Sequence, residues 1–362
     1  MNRLASAFLP LALHGIALAQ GLGLGAVYTM TNDPTGNAVQ VTLRLPNGNL
    51  LPLGSTPTGG AGTGMGLGSQ GALAITENGN HLVAVNPGSD EVSLFRVWFN
   101  VLLVRTDVAP TGSRPTSVAV HGNLVYVLNA GGDSVTGYRR QGGQLQPIAG
   151  ATYQLSQTGA AAAQVGFSPD GSHLVVTERA TNTIAVFRVL GNGRLGAVRF
   201  EPSAGATPFG FLFREDGVLV VSEAVGGAAD ASVTSSYRIH QNGSLQVLSA
   251  AVPTTESAAC WIAIPRNGRF AYTTNTGSGT ISGYSLDDAG QLALLDANGV
   301  TGDLGAAARP LDFDFDPQGR FLFVLDSAGD RLRVFRRLPD GGLELQATQL
   351  PLPDGSAGLL AR

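Results

Sequence analysis

Apolar and polar positions alternate in short runs along nearly the whole chain, and one run recurs. An apolar segment of six residues ends in Asn, Asp or Glu and passes into a turn. The copies are VYTMTN (27–32), HLVAVN (81–86), LVYVLN (124–129), HLVVTE (173–178), VLVVSE (218–223), FAYTTN (270–275) and FLFVLD (321–326). Their last residues, Asn32, Asn86, Asn129, Glu178, Glu223, Asn275 and Asp326, stand 54, 43, 49, 45, 52 and 51 residues apart. Runs this short, bounded by turn residues, are strands. A repeat of 45–50 residues built from short strands predicts a β-propeller, with one four-stranded blade per repeat.

The repeat beginning at residue 162 shows the grammar of a blade: AAQVGFSPDG, SHLVVTE, TNTIAVFRVLGNG and RLGAVRFEP, joined by Pro-Asp-Gly and Gly-Asn-Gly turns of hairpin type. First strands recur as ALAITENG, FLFREDG, WIAIPRNG and DFDFDPQG, and third strands as EVSLFRV, SVTGYRR, TISGYSL and RLRVFRR. Six complete repeats lie between residues 69 and 355. The N-terminal copy lacks a first strand, and AGLLA (357–361) is a first strand with nothing after it. Together they predict a seventh blade that closes the ring and removes its open edges. The expected fold is an all-β seven-bladed propeller over residues 20–362, four antiparallel strands to a blade. Its least regular stretch is 98–110, where the turn glycine is missing.

Period two along the first strands separates two sets of side chains. Large residues (Ile75/Leu73, Phe167/Val165, Phe213/Phe211, Ile264/Ile262, Phe315/Phe313) are expected between blades. Small or polar ones (Ala74/Ala72, Ala119/Ser117, Gly166/Gln164, Leu212/Gly210, Ala263/Trp261, Asp314/Asp312) are expected along the central channel. First strands descend from one face, here called upper, and second strands climb back to it. Gln164, Trp261 and Asp312 are therefore expected near the same mouth as Asn129, Glu178, Glu223, Asn275 and Asp326, with Arg114, Arg179 and Arg309 in the adjoining loops.

Composition narrows the function classes. Every basic residue is Arg, net charge is −4 and no basic run occurs, which argues against a nucleic-acid groove. Arg3, the apolar stretch LASAFLPLALHGIALA and Ala17-Leu18-Ala19 read as an export signal over residues 1–19. No later segment is long and charge-free enough to span a membrane. The single cysteine, Cys260, leaves no intrachain disulfide. It is expected as a buried thiol beside a packed Trp261.

The ring of Glu178, Glu223, Asp312 and Asp326 with its arginines is the candidate site. Crowded carboxylates raise one another's pKa, which suits acid/base work, and Arg suits an anionic substrate. Side chains at these positions could equally serve as turn caps. Asp312 and Asp314 alternate with Phe on one strand, an arrangement open to a cation such as Ca²⁺ or, preferably, to ordered water. No cofactor and no metal-ligand set is predicted. His81, His121, His173 and His240 all belong to the opposite end of the blades. No Gly-x-Ser-x-Gly, His-Glu-x-x-His or phosphate-loop motif occurs, and the glycine run 59–68 is expected to be a flexible upper-face link.

FSPDG (167–171), LVVTERATNTIAVFRV (174–189) and the Leu-rich fourth strands resemble the seven-bladed propeller lactonases, among them 6-phosphogluconolactonase-type proteins and fungal carboxymuconate-lactonizing enzymes. The resemblance implies a small lactone or related ester as substrate. Where such proteins carry a His-Pro-His-like segment this chain has Ala161-Ala162-Ala163-Gln164, and where they carry Arg-His it has Phe209-Gly210; the acidic residue that follows is matched by Glu223. The expectation is an exported, monomeric, lactonase-like hydrolase. Glu178 or Glu223 would be its base, Arg179 and Arg309 its anion holders, Trp261 a platform, and Gln164, Asn275, Asp312 and Asp326 further contacts. The rival expectation is a non-catalytic propeller that binds a protein or glycan.

Overall fold

The computed structural model describes residues 24–362, and the expected leader lies outside them. Seven antiparallel sheets form the blades. Blade 1 combines Ala357–Ala361 with three N-terminal strands, Gly25–Met30, Ala38–Arg44 and Leu50–Pro57. Blades 2 to 7 follow in chain order over 73–110, 115–154, 162–202, 208–253, 259–303 and 310–351. The termini share one blade as expected: Val27 pairs with Ala361 and Tyr28 with Leu360. Blade 6 departs from the pattern, because its outer strand is split into Leu292–Leu294 and Gly302–Asp303.

Second strands are buried almost throughout, since both of their faces meet a neighbouring blade; only Leu124 in blade 3 is half-buried. Side chains of adjacent blades interleave there. Phe211 of blade 5 packs with Val175, Ile184 and Val186 of blade 4, and Tyr272 of blade 6 lies 5.3 Å from Phe315 of blade 7. Blades are also latched by phenols on the second strands. Tyr126 donates to Gly193 O at 2.7 Å and Tyr272 to Gly341 O at 2.7 Å, and Tyr28 donates to Asn100 O. In each pair the acceptor is the lower turn between the third and fourth strands of the next blade. A buried phenol needs such a partner, and the turn carbonyl would otherwise be unsatisfied.

Innermost strands have a ladder partner on one side only, so their other edge needs acceptors and donors from side chains. Channel-facing polar residues supply them from the preceding blade. Gln164 donates to Phe211 O at 2.9 Å and accepts from Phe211 N at 2.7 Å. Ser117 Oγ accepts from Val165 N at 3.1 Å, and Asp314 from Ala361 N at 2.9 Å. The polar residues that period two assigns to the channel thus stitch the ring together.

Candidate functional site

The seven residues that end the second strands are all wholly buried. Four of them accept the backbone N–H of the loop leading into their own blade: Asn129 from Gly112 at 3.1 Å, Glu178 from Ser156 at 3.1 Å, Glu223 from Gly205 at 2.9 Å and Asp326 from Arg309 at 3.1 Å. Their other contacts reach the outgoing strand. Asn129 donates to Thr136, and Asn275 donates to Thr280 and Ser282 at 3.1 and 2.9 Å.

Glu223 also takes hydroxyl donors from Ser203, Tyr237 and Ser235 at 2.6–2.9 Å. In Glu178's blade the corresponding strand position is Ala185, which has no hydroxyl. The carboxylate is held instead by Ser156 Oγ and by Thr181 Oγ1 at 2.9 Å. Asp326 forms ion pairs with Arg331 and Arg333 at 3.1 and 3.7 Å. Glu178, Glu223, Asn275 and Asp326 therefore sit beneath the upper loops with most of their polar atoms engaged. Arg309 is exposed, and its side chain makes no hydrogen bond among the described residues.

At the axis the structure brings together Arg179, Trp261 and Asp312, with Gln164 on the same ring of first strands. Arg179 is partly buried. Its guanidinium lies 5.3 Å from the Phe209 ring and its Nε donates to Ala161 O at 2.9 Å. No carboxylate pairs with it among the described residues, and burial holds its pKa below the usual arginine range, with Arg114 adding to the effect. Phe209 in turn lies 4.9 Å from Trp261. Cys260 is half-buried rather than fully buried as expected, and burial pushes its thiol up to about 12.

Asp312 Oδ2 takes one long N–H bond, from Gly358 at 3.3 Å. Burial pushes its carboxyl up to about 7, Gly358 and Trp261 opposing. Asp314, two residues on, is pushed up to about 7 by burial, with Asp316 adding to it. The two carboxyls accept from separate amides of the strand Ala357–Ala361. Among the described residues no three His, Cys, Asp or Glu converge as a metal site.

Sequence reasoning missed Ser69, Gln70 and Phe209. Past the glycine run the chain dips from the upper face into the channel. Gln70 crosses it to donate to Ile262 O at 2.8 Å and to accept from Ile262 N at 2.9 Å. Ser69 donates to Thr116 O, and Trp261 Nε1 donates to Ser69 O at 3.1 Å. Gln70 N and Gly71 O bond Ala163 and Val118. Residues 69–71 thus plug the channel, in contact with blades 3, 4 and 6. A side chain at Gly210 would collide with Gln70, whose amide oxygen lies 2.2 Å from the position a Cβ would take. The one sequence signal was a Gln directly before blade 2, whose first strand is only three residues long.

A cavity of about 640 Å³ opens at the other, lower mouth, lined by Leu24, Arg44, Asn100, Arg266, Asp314 and Arg362 among others. Much of its basic charge is matched locally: Arg44 lies 3.6 Å from Asp316, Arg266 3.7 Å from Glu215 and Arg214 2.7 Å from Asp216. Arg179 at the upper mouth has no such match.

The sequence profile of the family described as "Lactonase, 7-bladed beta-propeller" matches residues 74–261 and 235–357. The chain belongs to the seven-bladed β-propeller lactonase family. Among solved structures, this lactonase-family propeller is similar to a candidate 6-phosphogluconolactonase from Bacteroides uniformis, with TM-score 0.76 and 17% identity over 94% of this chain and 99% of that one. It is also similar to a periplasmic gluconolactonase from Pseudomonas aeruginosa, with TM-score 0.74 and 20% identity over 93% and 99%. A protein from Lactobacillus plantarum gives TM-score 0.73 and 20% identity over 93% and 99%. These likenesses establish the fold. No curated protein sequence matches the chain.

Proposed function

We propose that this lactonase-family propeller hydrolyses a small anionic lactone of the sugar-acid type at its upper mouth. The observation that carries the reading is Arg179: a partly buried guanidinium on an aromatic ring, with no carboxylate pairing with it among the described residues. Such a group favours a carboxylate or phosphate on the ligand. The names of the Bacteroides and Pseudomonas relatives support a gluconolactone-type substrate.

In this reading the base is Asp312 rather than Glu178 or Glu223. A base needs a free lone pair and a pKa near the working pH. Glu178 and Glu223 have their oxygens filled by hydroxyl and amide donors, whereas Asp312 accepts one long bond and is pushed up to about 7 by burial. Asp312 takes a proton from water as its oxygen attacks the lactone carbonyl. The acyl–oxygen bond then breaks, and the proton passes to the departing ring oxygen, giving a hydroxy acid. Trp261 and Phe209 form the platform between Asp312 and Arg179. Glu178 and Glu223 are positioning residues that brace the loops carrying Arg179 and Phe209. Arg3 and the apolar stretch after it support export, with the mature chain starting at Gln20, and a ring closed on itself supports a monomer.

Hydrolysis of a panel of lactones tests this. Wild-type turnover is expected to rise as pH passes about 7, as Asp312 ionises. Asp312→Asn is expected to lose on the order of 100-fold in kcat together with that pH dependence. Arg179→Gln should raise KM about tenfold for anionic lactones and leave neutral ones unchanged. Absence of turnover on every lactone, or an Arg179→Gln enzyme indifferent to substrate charge, would overturn the reading.

A further inference from the structure

The least regular stretch of the sequence makes a tight turn at the lower rim of blade 2. Strand Glu91–Trp98 passes directly to Leu102–Pro110, with Phe99 at φ 57° and Asn100 at φ 63°. Turns with two left-handed residues ordinarily use Asn-Gly, and an aromatic residue there is strained. The strain holds Phe99 beside Trp98 at the tip, 6.4 Å apart and facing solvent. Leu102 and Val104 continue the patch along the outer strand. Trp98, Phe99, Leu102 and Val104 are each between 37 and 54% exposed.

Positive charge lies beside the patch. Arg96 sits 4.9 Å from the Trp98 ring, with Arg140 on the next blade, and neither has a carboxylate partner among the described residues. The buried His81 registers that charge: burial, then Arg140 and Arg96, hold it down to about 4. Glu77, the nearby acid, lies on the inner turn and is engaged with Gly122 N and His121. Leu24, the first described residue, and Asn100 line the same lower cavity.

We propose that this lower rim docks on an anionic lipid surface, with Trp98 and Phe99 inserted at the headgroup level and the arginines on the lipid phosphates. Aromatic tips flanked by arginine are suited to that boundary, where an amphipathic body meets water and negative charge. The proposal is independent of what is hydrolysed at the upper mouth.

The test is co-sedimentation of the full chain with phosphatidylglycerol vesicles and with phosphatidylcholine vesicles, for wild type and the double variant Trp98→Ser/Phe99→Gly. Glycine keeps the positive φ, so the variant is expected to melt at or above the wild-type temperature. Its partitioning onto phosphatidylglycerol should fall at least about tenfold, and wild-type binding should weaken with salt. Both proteins carry the leader, so the difference between them reads the hairpin alone. Equal binding by both would overturn the proposal. So would a wild-type dimer in sedimentation that the same substitutions dissolve while vesicles bind neither protein.

Discussion

Asp314 shows how one atom can be both necessary and costly. Its carboxyl accepts Ala361 N, closing the free edge of blade 1, yet burial pushes it up to about 7. From its ordinary value near 3.8 to about 7 the folded chain binds more protons than the unfolded one. The stability it contributes is therefore present below that window and lost as pH rises through about 7. Asp314→Asn keeps an oxygen for Ala361 N and removes the charge. Melting temperatures of the variant and wild type are expected to diverge as pH rises from 5 to 8, the variant ahead; parallel curves would refute this. Four of the acids and asparagines closing the second strands follow a similar logic, since Asn129, Glu178, Glu223 and Asp326 each answer a particular loop N–H. Where Ser235 offers a hydroxyl, Glu223 uses it, and where Ala185 offers none, Glu178 turns to Ser156 and Thr181.

At the scale of elements, the blade is the unit of sequence but the seam between blades is the unit of stability. Second strands are buried on both faces, and the phenols of Tyr126 and Tyr272 fasten blades 3 and 6 to the lower turns of blades 4 and 7. Tyr272→Phe leaves the Gly341 carbonyl without its donor and is expected to cost about 1 kcal/mol. Equilibrium denaturation measures that loss, and an unchanged midpoint with an unchanged slope would show the latch to be idle. The plug at 69–71 is a seam device as well. It supplies three blades with the bonds that their inner edges lack, and it crosses the channel between them.

For the whole molecule, closure depends on five residues at the far end of the chain. Ala357–Ala361 covers the edge of Gly25–Met30 and provides the amides that Asp312 and Asp314 accept. Deleting 357–362 exposes a sheet edge and leaves two buried carboxyls without those amide donors. The truncated protein is expected to lose its cooperative melt and to aggregate with increasing concentration. A monomeric peak in size-exclusion chromatography with an unchanged melting temperature would contradict that. Closure also separates two chemically distinct mouths: an upper one where Arg179 has no carboxylate partner among the described residues, and a lower one where Arg44, Arg214 and Arg266 each lie beside an acid.

The seven-fold spacing of second strands, the shared terminal blade and the period-two division of first strands were legible in the linear chain, because each is a local pattern that the fold repeats. Glu178 and Glu223 were legible as exceptions to that pattern, but their surroundings were not. Whether a carboxylate keeps a free lone pair depends on hydroxyls and loop amides up to 22 residues away, such as Ser156 and Gly205. Gln70 was hidden more deeply: its partner Ile262 lies 192 residues on, across a channel that exists only once the ring has closed. Sequence by itself determined the ring and the order of its parts. Tertiary structure alone decided which polar side chains are spent holding the ring and which remain for a ligand, because hydrogen-bond donors are allotted by proximity in space.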